Sequence, residues 1–267
     1  MIDVIRQQLT ERMPKEEKMH RTREFLQILC LKFLDEKKWF ESLAFVGGTA
    51  LRILFDLRRF SEDIDFSLLP SQNFDVEKLN NQLQKLFPSY GLPLETSVKA
   101  ERNVKSIMLK FPSLLKELGL SPLASQKLSI KLDVDTNPPS GSQVVHTIVN
   151  KIYLLNIVHD DLASLYAGKL SACFFRAYIK GRDFYDFIWY LGKRIKPNFL
   201  LLNNAIEQTQ GVSPQITQDN FKDFLLEHLS KIDFTVVKKD VERFLEDKSE
   251  LRIFDPQTIK ETVQSVY

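Results

Sequence analysis

The spacing of the hydrophobic positions changes near residue 156 and divides the sequence into two parts. Before that point, helical runs alternate with short runs in which apolar residues recur at every second position, a spacing typical of strands. After it, one segment after another follows the helical period. The pattern predicts an α+β domain over residues 1–155, with a sheet flanked by helices, and an α-helical domain over residues 156–267.

The local periodicity also predicts the individual elements. Strands are predicted at residues 45–46, 63–67 and 126–136, as an antiparallel pair within 94–112, and as one strand or a strand pair at 144–155. Helices are predicted within residues 1–44 and at 51–55, 76–87, 161–179, 184–191, 198–206, 221–229 and 236–245. Asp160 or Asp161 is the predicted N-cap of the helix at 161–179, and Asp255-Pro256 begins a last short helix.

The segment Gly47-Gly48-Thr49 follows the first predicted strand and leads into a short amphipathic helix. Because glycine has no Cβ atom, its backbone can approach a triphosphate closely, and amide groups at a helix start can donate to phosphate oxygens. Thr49 adds a hydroxyl group at the same place. The alternative is that the two glycines only form a turn.

Asp63 and Asp65 alternate with apolar residues, so a strand here carries both carboxylates on one face. Like charges about 7 Å apart repel each other unless a cation lies between them. Mg²⁺ is the predicted cation, with Mn²⁺ as an alternative, because Mg²⁺ binds one or two carboxylates together with water and substrate phosphates. The alternative interpretation is the solvated face of an edge strand.

Residues 126–136 offer a third carboxylate. Lys131, Asp133 and Asp135 alternate with apolar residues, so one face of a strand presents all three. Taken alone, the same pattern also fits a polar strand edge that precedes the Pro/Gly/Ser-rich loop at 137–141.

In the helical part, Lys169 and Arg176 lie on one helix face together with apolar and small residues. Lys169 is therefore either a surface lysine or a cation that contacts nucleotide phosphates and stabilises the charge that develops during transfer. Asp183 lies near the start of the next helix, where it interacts favourably with the helix dipole. Arg182 and Asp186 are spaced for an i,i+4 ion pair, so a purely structural role for this segment is also available.

The combination of a strand, Gly-Gly-Thr, an amphipathic helix and Asp-x-Asp on a second strand resembles the nucleotidyltransferase superfamily of the DNA polymerase β type. Within it, four stretches resemble the motifs of the AbiEii family of toxins, whose pattern the related MenT toxins share. The stretches are GGTALR with RFSEDIDF, then KLD, then AGKLSA followed by Arg176, and last RDFYD, and they lie in order within residues 45–187. Departures are small: threonine stands where serine is common, and Ile53 stands where an acid often follows the motif arginine.

The resemblance implies a polymerase β-like mixed sheet and a helical domain that closes the active-site cleft. It implies that an acceptor hydroxyl attacks the α-phosphate of an NTP and that pyrophosphate leaves. Catalytic and metal-binding roles fall to Asp63, Asp65 and Asp133, of which Asp133 would also accept the hydroxyl proton, and further catalytic roles fall to Lys169 and Asp183. Asp183 would orient either Lys169 or the base. Nucleotide-binding roles fall to Gly47, Gly48, Thr49, Arg52, Lys131 and Arg176.

Composition narrows the remaining choices. The 267 residues are 43% hydrophobic and 27% charged, and no apolar run approaches the roughly 20 residues that span a bilayer. We therefore expect no membrane span, and because the first residues lack a signal-peptide pattern we expect a cytoplasmic protein. Cys30 and Cys173 lie in apolar helical patterns and predict neither a disulfide nor a zinc site. The net charge of +2 argues against indiscriminate nucleic-acid binding.

The identity of the acceptor is not given by these patterns. The resemblance implies a toxin of a toxin–antitoxin or abortive-infection phage-defence pair that adds nucleotides to tRNA, with an antitoxin encoded nearby. One alternative is an enzyme that modifies a small molecule or a protein side chain. Another is a protein that binds a nucleotide or a partner without turnover.

Overall fold

The computed structural model describes residues 1–267 and contains one seven-stranded mixed sheet. The strands are β1 (Leu43–Val46), β2 (Ile64–Leu68), β3 (Glu95–Ala100), β4 (Val104–Phe111), β5 (Leu128–Asp135), β6 (Val144–Asn150) and β7 (Leu154–Asp160). Their order in the sheet is β3-β4-β5-β2-β1-β7-β6. The pairs β2/β5 and β1/β7 are parallel, whereas β1/β2, β3/β4 and β4/β5 are antiparallel.

Eleven α-helices accompany the sheet. They are α1 (Ile2–Gln7), α2 (Lys15–Glu36), α3 (Gly47–Phe55), α4 (Val76–Ser89), α5 (Leu114–Glu117), α6 (Leu162–Phe175), α7 (Gly181–Lys193), α8 (Phe199–Gln210), α9 (Phe221–Leu229), α10 (Phe234–Val241) and α11 (Pro256–Val266). Short 3-10 helices lie at Trp39–Glu41, Glu242–Phe244 and Lys248–Ile253. No helix is both long enough and apolar enough to cross a membrane.

Backbone contacts divide the chain into two compact units. The first unit comprises residues 1–55, 60–137 and 146–159, and the second comprises residues 56–59, 138–145 and 160–267. The first unit holds most of the sheet together with helices α1 to α5, and the second holds helices α6 to α11. The predicted α+β fold class, with a mixed sheet flanked by helices, is confirmed.

The core of the first unit lies between helices and the apolar face of the sheet. In β5, Ile130, Leu132 and Val134 are buried, while the residues between them are half-buried. Helix α2 contacts β5, and helix α4 contacts β3 and β4. Each fully buried Leu, Ile or Val side chain contributes about 1.5–3 kcal/mol relative to an exposed one, so this alternation fixes which face of β5 looks away from the core.

Three local predictions differ from the structure. Strand β7 continues through residue 156, where the sequence predicts the change to helices, because exposed Asn156 alternates with buried Leu155 and Ile157 as in a strand. The backbone amide of Asn156 donates to Asp35 Oδ2 at 3.0 Å. Helix α6 ends at Phe175 rather than near residue 179, and the periodicity does not predict α5. The predicted caps are present: Asp161 accepts from Ser164 N at 2.8 Å, and Asp255 accepts from Thr258 N at 2.8 Å.

Candidate active site

The parallel pairing of β2 with β5 brings two of the predicted acids side by side. Asp65 and Asp133 are direct register partners, so their side chains leave adjacent strands on the same face, about 5 Å apart at the backbone. Asp63 precedes Asp65 by two positions, directly before β2 begins, and all three residues are half-buried. The pairing of β2 with β5 thus brings Asp65 and Asp133 together although their strands lie far apart in sequence, and Asp63 lies just outside β2.

Lys131 belongs to the same cluster. Its Nζ donates to Asp133 Oδ2 at 2.6 Å, whereas Asp133 Oδ1 is buried and has no hydrogen-bond partner. Partial burial would lower the pKa of Lys131, but the hydrogen bond to Asp133 and the negative charges of Asp133, Asp63 and Asp65 raise it above its ordinary value. Three carboxylates therefore act on this one lysine.

Gly47 lies against the acids. Helix α3 begins at Gly47, directly after β1, and Val46 is the register partner of Asp65. Gly47 has a φ of +78°, and a Cβ atom built on it would lie 2.5 Å from Asp65 Oδ2. Only glycine satisfies both conditions without strain, so the backbone at the start of α3 can lie against the carboxylate. The first amides of a helix have no intrahelical acceptor and can bind an anion.

Thr49 and Arg52 occupy supporting positions instead of open ones. The Thr49 hydroxyl is buried and donates to the backbone carbonyl of Asp63, and the Gln27 amide donates to the same carbonyl at 3.4 Å. Arg52 is buried and binds Glu24 through Nε at 2.5 Å and Nη2 at 3.1 Å. Thr49 thus supports the segment that carries Asp63, and Arg52 is paired with helix α2; the contacts of both side chains with nucleotide phosphates stay a prediction. Gly48 is buried within α3.

A second group of charged residues lies within the helical unit. Lys169 on α6 donates to Asp183 Oδ1 at 2.7 Å and contacts Asp186 Oδ2 at 2.8 Å, both on α7. Arg59 binds both oxygens of Asp186 at 2.6 Å, and Arg176 donates to Asp183 Oδ2 at 2.6 Å. We call these five residues the buried ion network, because four of its members are at most 9% exposed and only Arg176 retains a side-chain exposure of 32%.

The charges of the network hold one another ionised. Burial alone would lower the pKa of Lys169, but Asp183 and Asp186 raise it above its ordinary value. Burial alone would raise the pKa of Asp183, but Lys169 and Arg176 keep it below its ordinary range. Lys169 is thus a buried, ion-paired lysine, and the arrangement fits the prediction that Asp183 orients it.

Sequence reasoning missed two members of this network. Arg59 lies 127 residues away from Asp186, and nothing in its local pattern indicates a buried residue. The spacing pairs Asp186 with Arg182, but the Asp186 oxygens receive Arg59 and Lys169, and the Arg182 guanidinium lies 4.2 Å from the centre of the Phe244 ring. The available signal was the i, i+3 spacing that places Asp183 and Asp186 on one face of α7.

Packing at the start of α7 fixes where that face points. Gly181 begins the helix, and a Cβ atom there would overlap the Val237 carbonyl and lie 2.8 Å from Val241 N. Its own amide donates to Asp240 Oδ2 at 2.7 Å. Only glycine allows α7 to approach α10 this closely, two residues before Asp183.

Paired acids on neighbouring strands, a glycine-led helix start beside them and a mixed sheet of this order define a nucleotidyltransferase. The family model described as "Nucleotidyl transferase AbiEii toxin, Type IV TA system" matches residues 30–264. The chain belongs to this family, and the protein is a nucleotidyltransferase.

Two solved structures show the same fold. JHP933 from Helicobacter pylori superposes with a TM-score of 0.56 at 19% identity, over 92% of this chain and 91% of that one. A candidate nucleotidyltransferase from H. pylori superposes with a TM-score of 0.54 at 19% identity, over 97% and 96% of the two chains. No curated protein matches the chain.

The contact between Gly47 and Asp65 leads to a first prediction. Gly47→Ala should lose about 1–2 kcal/mol of unfolding free energy because of its positive φ, and it should also slow nucleotidyl transfer roughly 10²-fold because the Asp65 carboxylate must move. Gly91→Ala is the matched control, since Gly91 has a φ of +72° and open space around its Cβ position. Urea unfolding and initial transfer rates measure the two effects. Equal losses of activity in both variants would contradict a specific role for the contact between Gly47 and Asp65.

Proposed function

We propose that the protein transfers a nucleoside monophosphate from an NTP to a hydroxyl group of tRNA, with Mg²⁺ held by Asp63, Asp65 and Asp133. The observation that carries the proposal is the register pairing of Asp65 with Asp133, together with the buried, partnerless Oδ1 of Asp133. A buried carboxylate oxygen without a donor is costly unless a cation or a proton completes it.

The residues present fit such an ion. The structure contains no group of three or more His, Cys, Asp or Glu side chains placed to hold a metal ion. Mg²⁺ does not need one, because it usually binds one or two carboxylates and completes its shell with water and substrate phosphates. All the available donors are hard oxygens, which Mn²⁺ also accepts.

The chain's own residues account for the steps around the ion. When bound, the divalent ions supply Lewis-acid stabilisation of the phosphoryl oxygens and activate the acceptor hydroxyl. The free amides at the start of α3 orient the triphosphate, and Gly47 keeps that approach open. The Asp133 carboxylate accepts the hydroxyl proton as the new bond from oxygen to the α-phosphorus forms. The bond between the α-phosphorus and its bridging oxygen breaks, and pyrophosphate leaves.

The surroundings of the acids favour a large anionic acceptor. Their face of the sheet continues over β4 and β3, where Ser106 is the register partner of Asp133 and Lys99 is the register partner of Ser106. Lys110 lies on the same face between Ser129 and Glu95, Lys99 is paired with Glu101, and the Lys131 side chain is 41% exposed. A polar sheet face with lysines suits a phosphodiester backbone better than a small molecule enclosed in an apolar pocket.

The proposal includes the biological setting that the family suggests. As a member of a type IV toxin–antitoxin family, the toxin has an antitoxin as its functional partner, encoded nearby, and phage defence is the proposed outcome. NTPs and tRNA occur in the cytoplasm, so the proposed reaction takes place there.

The test is label transfer from each of four α-labelled NTPs to total tRNA, with Mg²⁺ or Mn²⁺ and with EDTA as the metal-free control. We expect one NTP to label tRNA, and we expect periodate-oxidised tRNA, which lacks a free 3′-terminal diol, to remain unlabelled. Label that enters protein or a hydroxyl-bearing small molecule instead would replace tRNA as the acceptor. Label that enters none of these acceptors with either metal would contradict the proposal.

A further inference from the structure

Lys131 occupies a position where it would compete with a metal ion for the Asp133 carboxylate. Lys131 and Asp133 lie two positions apart on the same face of β5, and the lysine ammonium reaches Asp133 Oδ2 at 2.6 Å. Asp63 and Asp65 act on the same ammonium electrostatically. The side chain therefore provides one positive charge to a face that carries three carboxylates.

The two partners differ in their freedom to move. The Lys131 side chain is 41% exposed, whereas the Asp133 side chain is 21% exposed and its Oδ1 is buried. A divalent ion at Asp133 would repel an ammonium group at hydrogen-bond distance, since the Coulomb energy between charges rises as their separation falls. Because the lysine stem is flexible and its head is accessible, the ammonium is the group that would leave.

We propose that Lys131 is an exchangeable counter-ion of the acidic cluster. It neutralises Asp133 while no metal is bound, leaves Asp133 when the divalent ion and the NTP enter, and then binds the oxygens of the triphosphate. The inference rests on the proposed function, because it takes Asp63, Asp65 and Asp133 as the metal ligands. It makes Lys131 a binding residue whose partner changes during the reaction cycle.

An ordinary surface ion pair is not expected to affect metal or nucleotide binding in this way. Lys127 and Glu95 form such a pair at 2.5 Å, with side-chain exposures of 34% and 53%, and Lys127 lies one residue before β5. Exposed pairs of this kind contribute little and have no reason to alter metal affinity. Lys127→Met is therefore the matched control for Lys131→Met, which removes the charge and keeps an unbranched apolar stem.

The experiment measures binding and needs no turnover. Calorimetric titration with Mn²⁺ in the absence of nucleotide should show Lys131→Met binding the metal about 3- to 10-fold more tightly than wild type, because the competing charge is gone. Binding of a non-hydrolysable NTP analogue at saturating Mn²⁺ should be weakened roughly 10-fold by the same substitution. Lys131→Arg should retain the wild-type metal affinity, and Lys127→Met should leave both affinities unchanged.

The opposite signs of the two effects separate exchange from a structural role. Unchanged or weaker Mn²⁺ binding by Lys131→Met, with a wild-type unfolding temperature, would overturn the inference, and so would unchanged binding of the analogue. Asp133→Asn distinguishes this failure from failure of the proposed function. If Asp133→Asn abolishes Mn²⁺ binding while Lys131→Met has no effect, only the exchange is refuted. If Asp133→Asn also has no effect, the metal site itself is misassigned.

Discussion

Asp65→Asn and Asp133→Asn are each expected to slow nucleotidyl transfer on the order of 10³-fold while the fold remains intact. Each substitution replaces a charged oxygen pair with a neutral amide of nearly the same shape, so packing is preserved. The two residues are register partners on β2 and β5, and Asp133 Oδ1 is buried with no other partner. Removing either charge should therefore weaken metal binding at the position where the reacting phosphate is proposed to bind.

Single-turnover transfer from an α-labelled NTP measures this loss, and Asp135→Asn is its control. Asp135 lies on the same face of β5, two residues after Asp133, but accepts from Asn137 N at 2.9 Å where the strand ends. We expect Asp135→Asn to retain activity within about tenfold of wild type. Equal inactivation by all three substitutions would show that activity is lost when any carboxylate of this sheet face is neutralised. It would then contradict a specific role for Asp65 and Asp133.

The same variants should show the cost of gathering like charges. Because Asp63, Asp65 and Asp133 share a single counter-ion, Lys131, when no metal is bound, Asp65→Asn is expected to unfold at equal or higher urea concentration than wild type in EDTA, whereas Asp133→Asn also loses the bond from Lys131 and should gain less. Wild type should recover the difference when Mg²⁺ is added. Residues that reduce stability for the sake of function are typical of active sites.

The acids of β2 and β5 illustrate what local periodicity reveals. Alternation alone places Asp63 and Asp65 on one strand face and Lys131, Asp133 and Asp135 on another, and both strands are present. Periodicity does not state that β5 pairs with β2 in parallel, with the whole of residues 69–127 between the two strands. That pairing depends on the packing of the whole sheet, and only the family resemblance suggests it.

Side-chain contacts with residues on other elements could not be predicted from the sequence pattern. Thr49 follows two glycines, so its hydroxyl looks available from the sequence, yet it is buried against the carbonyl of Asp63. Arg52 lies on a short helix of mixed polarity, and its partner Glu24 lies 28 residues earlier. Such contacts cannot be predicted from spacing, because the spacing describes one element and the contact joins two.

The buried ion network changes how Lys169 is understood. The family resemblance favours a contact between Lys169 and the nucleotide phosphates, but the Lys169 ammonium is buried between Asp183 and Asp186. Arg176 is the one cation of the network with substantial exposure. A contact with the nucleotide stays a prediction for both Lys169 and Arg176.

Asp186→Asn should destabilise the fold far more than the loss of a surface charge does. Asp186 is fully buried and compensates both Arg59 and Lys169, so the variant leaves uncompensated positive charge in the interior and should lose about 3–5 kcal/mol of unfolding free energy. Urea unfolding at pH 7 measures the loss. Glu227→Gln is the control, because Glu227 pairs with Lys231 on the surface at 2.7 Å and its loss should change stability far less.

The pH dependence of the loss provides a further check on its cause. Because the folded-state pKa of Asp183 is lowered, its contribution is complete above the ordinary Asp pKa and disappears as the pH falls through the folded value. Because the pKa of Lys169 is raised, its contribution is complete below the ordinary Lys pKa and disappears only at higher pH. The difference between wild type and Asp186→Asn should therefore stay constant between about pH 5 and pH 9. A difference that varied within this window would assign the loss to another titrating group, and a loss no larger than that of Glu227→Gln would mean that water already screens the network.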